Sequence, residues 1–206
     1  MFLNREEAGI RLALKLSQLG KLDKPIVISI PRGGVIVGKT VSEILKFPHR
    51  LILVKKIGAP HNPELAIGAT GSDSIVFWDE DLIESLSISK KEQEEALSST
   101  VKTVSDREKS LHLAPLKVNG KTVILVDDGV ATGATVIVAS KILKKLGLNK
   151  IILATPVISK RTKKELEKYF DRIVAVETPV TFQAVGEFYQ EFPQVEDEEV
   201  KEILNS

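Results

Sequence analysis

Several stretches of the chain are apolar without alternation, among them "PIVISI" at 25–30, "TVILV" at 122–126 and "KIILATPV" at 150–157. A strand buried on one face alternates apolar and polar residues, whereas a strand buried on both faces reads as a continuous run. "RLILV" (50–54), "SIVFW" (74–78) and "RIVAV" (172–176) extend the series. Helical patterns separate these runs. "REEAGIRLALKLSQLG" carries Ile10, Leu14 and Leu19 at helical spacing, opens on Asn4 and Glu7 as a capping box, and ends at Gly20. Residues 35–46, 134–146 (before Gly147) and 161–169 read likewise. Strands alternating with helices predict an α/β fold, a parallel sheet flanked by helices, in one domain over 1–206.

Two segments break the alternation. Residues 79–116 are polar apart from a stripe at Leu97, Val101, Val104 and Leu111, which predicts a helical excursion with one buried face. Residues 56–71 are rich in Gly and Pro and read as a long loop of the kind that forms functional lids.

Composition narrows the chemistry. Cysteine is absent, which removes disulfides, thiolate nucleophiles and cysteine metal sites, and three scattered histidines do not make a zinc site. Net charge is +1, from 29 basic and 28 acidic residues, which disfavours a nucleic-acid partner held by bulk charge. No apolar run approaches the ~20 residues that span a bilayer, and no signal-peptide core is present. The expected location is the cytoplasm, with no membrane partner.

In open parallel sheets the ligand site lies at the carboxyl ends of the strands. Those ends hold "PRGG" (31–34), Lys55-Lys56, Asp127-Asp128 with the turn behind them, 156–160 and 178–182. In "VDDGVATGAT" two adjacent like charges precede a glycine- and hydroxyl-bearing turn that enters a helix. Backbone N–H groups at a helix N-terminus, with Thr132, Gly133, Ala134 and Thr135, make a phosphate cradle. The carboxylates stand four or five residues before it. A molecule with a phosphate at one end and vicinal hydroxyls nearby, such as ribose 5-phosphate, fills both places, and a divalent cation relieves the repulsion of the two acids.

"VILVDDGVATGAT" resembles the phosphoribosyl-diphosphate (PRPP) signature of the type I phosphoribosyltransferases. The resemblance implies an enzyme that moves the 5-phosphoribosyl group from PRPP to a small nitrogenous base with Mg²⁺, in a homodimer. It implies that Asp127 and Asp128 hold the ribose hydroxyls and the metal, and that Ala131 to Thr135 hold the 5′-phosphate. "SIPRGG" is similar to the family's diphosphate loop, which implies Arg32, Gly33 and Gly34 as diphosphate contacts and a cis peptide before Arg32. Residues 56–71, which start at Lys56 directly after Lys55, occupy the place of the family's lid. "TPVTFQAVG" and "ATPVISKRT" look like the runs that place a stacking phenylalanine and a purine-contacting lysine, hence Phe182 and Lys160. Ala131 stands where 6-oxopurine enzymes carry an aspartate, so the acceptor base is left open, with a purine-like base favoured. A non-catalytic PRPP- or nucleotide-sensing regulator on the same fold is the alternative. A phosphatase using Asp127 as nucleophile is excluded, because the acid it needs two residues later is Gly129.

Overall fold

The computed structural model describes residues 1–73 and 75–205. Its core is a five-stranded, fully parallel sheet in the order β2-β1-β6-β7-β8, made of β1 (Pro25–Ser29), β2 (His49–Leu51), β6 (Thr122–Val126), β7 (Lys150–Val157) and β8 (Arg172–Glu177). The period of two sorts each strand's side chains to opposite faces. Ile26, Ile28, Val123, Leu125, Ile151 and Leu153 pack against α5 (Ala134–Lys145). Val27, Ile124, Val126, Ile152 and Ala154 pack against α1 (Arg5–Ser17) and α2 (Gly34–Leu45). All five residues of β6 are buried, and each such apolar side chain contributes about 1.5–3 kcal/mol. That places its carboxyl end at the centre of a rigid platform.

Helix α1 turns the other way from its expected stripe. Ile10 and Leu14 are exposed, and the buried face is Arg5, Ala8, Gly9, Leu12, Ala13 and Leu16. Small residues win because α1 lies close on α2: a Cβ on Gly9 would sit 2.7 Å from the Thr40 Cβ. The helix start is capped by Asn4, whose side chain accepts from the Glu7 N–H, while Glu7 reaches the Leu3 N–H rather than that of Asn4.

The expected loop at 56–71 is a correction. Residues 55–59 and 62–70 form an antiparallel hairpin, β3 (Lys55–Ala59) and β4 (Asn62–Thr70), and β5 (Val76–Trp78) adds a third strand. The expected strand at 74–78 thus joins this small sheet rather than the parallel one, and its first residue, Ser74, lies outside the described residues. The Gly and Pro content reflects a bulged register around Gly58, where a Cβ would meet the Pro63 backbone at 2.5 Å. The hairpin rests on the excursion, α3 (Glu80–Ser85) and α4 (Lys90–Ser110), through Ile57, Ala59, Ile67, Ile83, Trp78 and Leu97. From the expected stripe, Val104 and Leu111 join a separate cluster with Val195 and Val200, the latter on α7 (Asp197–Asn205). α6 (Lys160–Leu166) ends three residues early in a 3₁₀ turn, and the strand at 50–54 stops at Leu51.

One buried polar contact carries a pH dependence. His49 Nε2 lies 2.8 Å from Ser29 Oγ, beneath Gly38. Burial, then the charges of Lys39 and Arg50, lower its pKa from 6.5 to about 4. A lowered histidine pKa means that the unfolded chain takes up the proton first. This contribution is therefore intact above pH 6.5 and lost as the pH falls toward 4. His49→Gln (H49Q) removes it, so the melting-temperature advantage of wild type over H49Q, measured by calorimetry, is expected to shrink across that interval. A constant difference would contradict the assignment.

Candidate active site

β6 ends by delivering Asp127 and Asp128 side by side. Asp127 Oδ1 accepts the Asp128 N–H at 2.9 Å, which folds the first carboxyl back over the second residue's backbone. Burial, and then the neighbouring carboxylate, push the Asp127 pKa well above the usual range. Asp128 is raised as well, by burial, against the opposing pull of a cation.

That cation is Arg5, the first residue of α1. It is buried, and its Nε donates to Asp128 Oδ2 at 2.8 Å. Nη1 of Arg5 donates to the Pro193 carbonyl at 2.7 Å, and its guanidinium lies 3.8 Å from the Phe192 ring centroid. Tyr189 donates its hydroxyl to the Asp128 carbonyl at 2.6 Å, and burial raises the phenol's pKa. The start of the chain and its C-terminal tail therefore clamp Asp128 together, a union also seen in the Phe2–Tyr189 strand bridge.

The turn behind the acids is built as a cradle. Gly133 has φ +84° and is the N-cap of α5, and a Cβ there would approach Leu166 at 2.9 Å. The Ala131 carbonyl accepts from Thr162 Oγ1 at 2.7 Å, which ties the turn to α6. On the opposite wall, the Pro31–Arg32 peptide is cis, as the resemblance implied. Glycine at 33 has a further steric reason: a Cβ would lie 1.8 Å from Asp128 Oδ2 and 2.8 Å from Arg5 Nε. The glycine makes room for the buried ion pair, and does not only expose amides.

These walls enclose a cavity of about 270 Å³ lined by Arg32, Gly33, Lys56, Asp127, Asp128, Ala131, Thr132, Gly133 and Thr135 together with Val185. Gly34 packs behind it, where a Cβ would lie 3.0 Å from Asp127 Cα, and Ala134 opens α5 just past the cradle. Three expected residues lie elsewhere. Lys55 lines a neighbouring cleft. Lys160 is exposed at the start of α6, its N–H on the Pro179 carbonyl. Phe182 stacks on Phe188 with ring centroids 5.3 Å apart, and the cavity wall on the tail side is Val185. Phe182 lies there because the tail folds its aromatics onto the cluster of Phe2 and Tyr189, where its ring stacks on Phe188. Sequence reasoning missed Arg5, Tyr189, Thr162 and Val185. For Arg5 a signal existed, since it shares a helical face with Ala8, Gly9 and Leu12.

Comparison with known proteins agrees with this geometry. Residues 2–191 match the phosphoribosyl transferase domain family. Two Mycobacterium tuberculosis proteins, of strains CDC 1551 / Oshkosh and ATCC 25618 / H37Rv, both carrying the name "Putative phosphoribosyl transferase", are 32% identical over 208 residues. The alignment takes in 100% of this chain but 46% of theirs, so the chain spans about half the length of those relatives. The crystal structure of TT1426 from Thermus thermophilus superposes with TM-score 0.82 at 34% identity, over 98% of this chain and 97% of that one. A purine phosphoribosyltransferase from Pyrococcus horikoshii shares the fold at TM-score 0.50 and 21% identity, over 95% and 97%. With the motif, the cavity and a match along nearly its whole length in accord, the chain belongs to the phosphoribosyl transferase domain family.

Proposed function

We propose that the chain transfers the 5-phosphoribosyl group of PRPP to a nitrogenous base, a purine-like nucleobase, and releases diphosphate. The observation that carries this reading is the convergence of Arg32, Lys56, the two carboxylates and the Thr132–Thr135 turn on one cavity. The turn's amides and hydroxyls take the 5′-phosphate, and Asp127 and Asp128 accept from the ribose 2′- and 3′-hydroxyls. Arg32 and Lys56 hold the diphosphate. As the C1′–O bond to diphosphate breaks, the carboxylates lie beside the positive charge that develops on the sugar, and a ring nitrogen of the base closes the new bond. The β3–β4 hairpin brings Lys56 to the cavity wall, which supports a role for it in excluding water from that charge.

Mg²⁺ fits this donor set. Among the described residues no group of three or more His, Cys, Asp or Glu could hold a metal unaided. Two hard carboxylates, completed by substrate oxygens, are how Mg²⁺ is commonly bound, whereas a closed protein cage is not. When bound, the ion supplies charge neutralisation for the departing diphosphate. Asp127 is the better ligand, because the charge of Asp128 is already paired with the Arg5 guanidinium whereas Asp127 accepts only a neutral backbone N–H.

Diphosphate release measured with PRPP, Mg²⁺ and a panel of nucleobases tests the reading. The expected result is base-dependent release with one purine-like acceptor. PRPP binding without release on any base would favour a PRPP-sensing regulator instead.

A further inference from the structure

Beside the active-site cavity lies a second cleft of about 330 Å³, lined by Arg32, Lys55, Arg107 and Asp197 with Thr103 and Val104. Arg32 and Val54 line both spaces, so the two adjoin at the diphosphate end. Its lining holds three cations against one carboxylate. Arg107, from α4, is held by Asp197 through Nε at 3.1 Å and through Nη2. Arg32 meets Glu196 at 3.4 Å, with both side chains open to solvent. Glu196 and Asp197 are consecutive residues at the entry to α7, a helix fixed independently by Val200 against Val35, Leu51 and Val104.

Resting on the proposed function, we propose that this cleft is a second anion subsite for a diphosphate-type group. The Glu196 and Asp197 carboxylates act there as built-in counterions that the anion displaces. Arg32 belongs to both spaces, so the leaving diphosphate has a continuous cationic route from the first to the second. The solvent-open Glu196 is a weak competitor for Arg32. Asp197 holds Arg107 more firmly through two contacts, and a diphosphate brings more charge to both guanidinium groups. The two carboxylates thus set how readily diphosphate is retained.

The test uses inorganic diphosphate as probe, titrated calorimetrically into the full chain saturated with PRPP and Mg²⁺. Diphosphate is expected to bind alongside PRPP, held by Lys55 and Arg107 with Arg32 shared between the two anions. The double variant E196Q–D197N, which keeps side-chain size and the α7 packing, is expected to bind it about tenfold more tightly, equivalent to ~1.4 kcal/mol. Adding R107Q to that background, where the Asp197 pair is already gone, is expected to abolish the gain. Diphosphate strictly competitive with PRPP, or indifferent to both sets of substitutions, overturns the subsite and leaves the proposed function standing. Failure of wild type to bind PRPP strikes the proposed function instead.

Discussion

Asp127→Asn (D127N) is expected to lower turnover by at least roughly 100-fold, the scale for removing a preorganised electrostatic contact to the transition state, while raising the melting temperature. The two effects share one cause. Asp127 is largely desolvated at the floor of the cavity and held beside a like charge, which raises its pKa well above the usual 3.8. A carboxyl whose pKa is raised by folding opposes folding wherever it is ionised. The penalty is present at neutral pH and fades as the pH falls to the unfolded value. The Asn side chain keeps an oxygen for the Asp128 N–H that Oδ1 accepts at 2.9 Å, so no hydrogen bond is lost with the charge. Asp128→Asn should lose turnover similarly but melt lower, because it leaves the buried Arg5 guanidinium without its carboxylate. Steady-state rates and calorimetry on both variants decide the matter: two stabilised variants, or two destabilised ones, would contradict the division of roles.

That division was only half legible in the sequence. The doubled aspartate, the cradle and the diphosphate turn could be read because each is local: a strand end, a turn and a helix start within a few residues of one another. The parallel sheet was legible for a similar reason, since burial on both faces leaves unbroken apolar runs such as 122–126. What could not be read depends on partners distant in sequence. The Arg5–Asp128 contact joins residues 123 positions apart, and the Tyr189 hydroxyl reaches back 61 positions. The hairpin at 55–70 was hidden because glycine and proline mark loops and bulged strands alike. The α1 stripe was misplaced because large apolar residues draw attention, whereas close packing on α2 selected Gly9 and Ala13, and Ala8 packs on Phe2, Val157 and Tyr189. Ile10 and Leu14 are left in solvent as a result.

The largest stability effect is expected at the residue whose role the sequence concealed most. Arg5→Met (R5M) keeps an unbranched side chain of similar length and removes the guanidinium that faces Asp128 and lies over the Phe192 ring. Breaking a buried pair from one side costs about 3–5 kcal/mol, because the remaining charge stays desolvated. Asp128 can escape part of that cost by taking up a proton. Arg5 lowers its pKa against the burial that raises it, so without Arg5 the folded-state value climbs further. The native state of R5M then binds a proton more readily than the unfolded chain. Its deficit relative to wild type is largest at neutral and alkaline pH and narrows as the pH falls through that raised value. A cavity or packing defect at Arg5 would cost the same at every pH. Denaturant unfolding of wild type and R5M, followed from alkaline to acid pH, separates the two. A deficit that does not change with pH would show that Arg5 only fills space beneath Gly33.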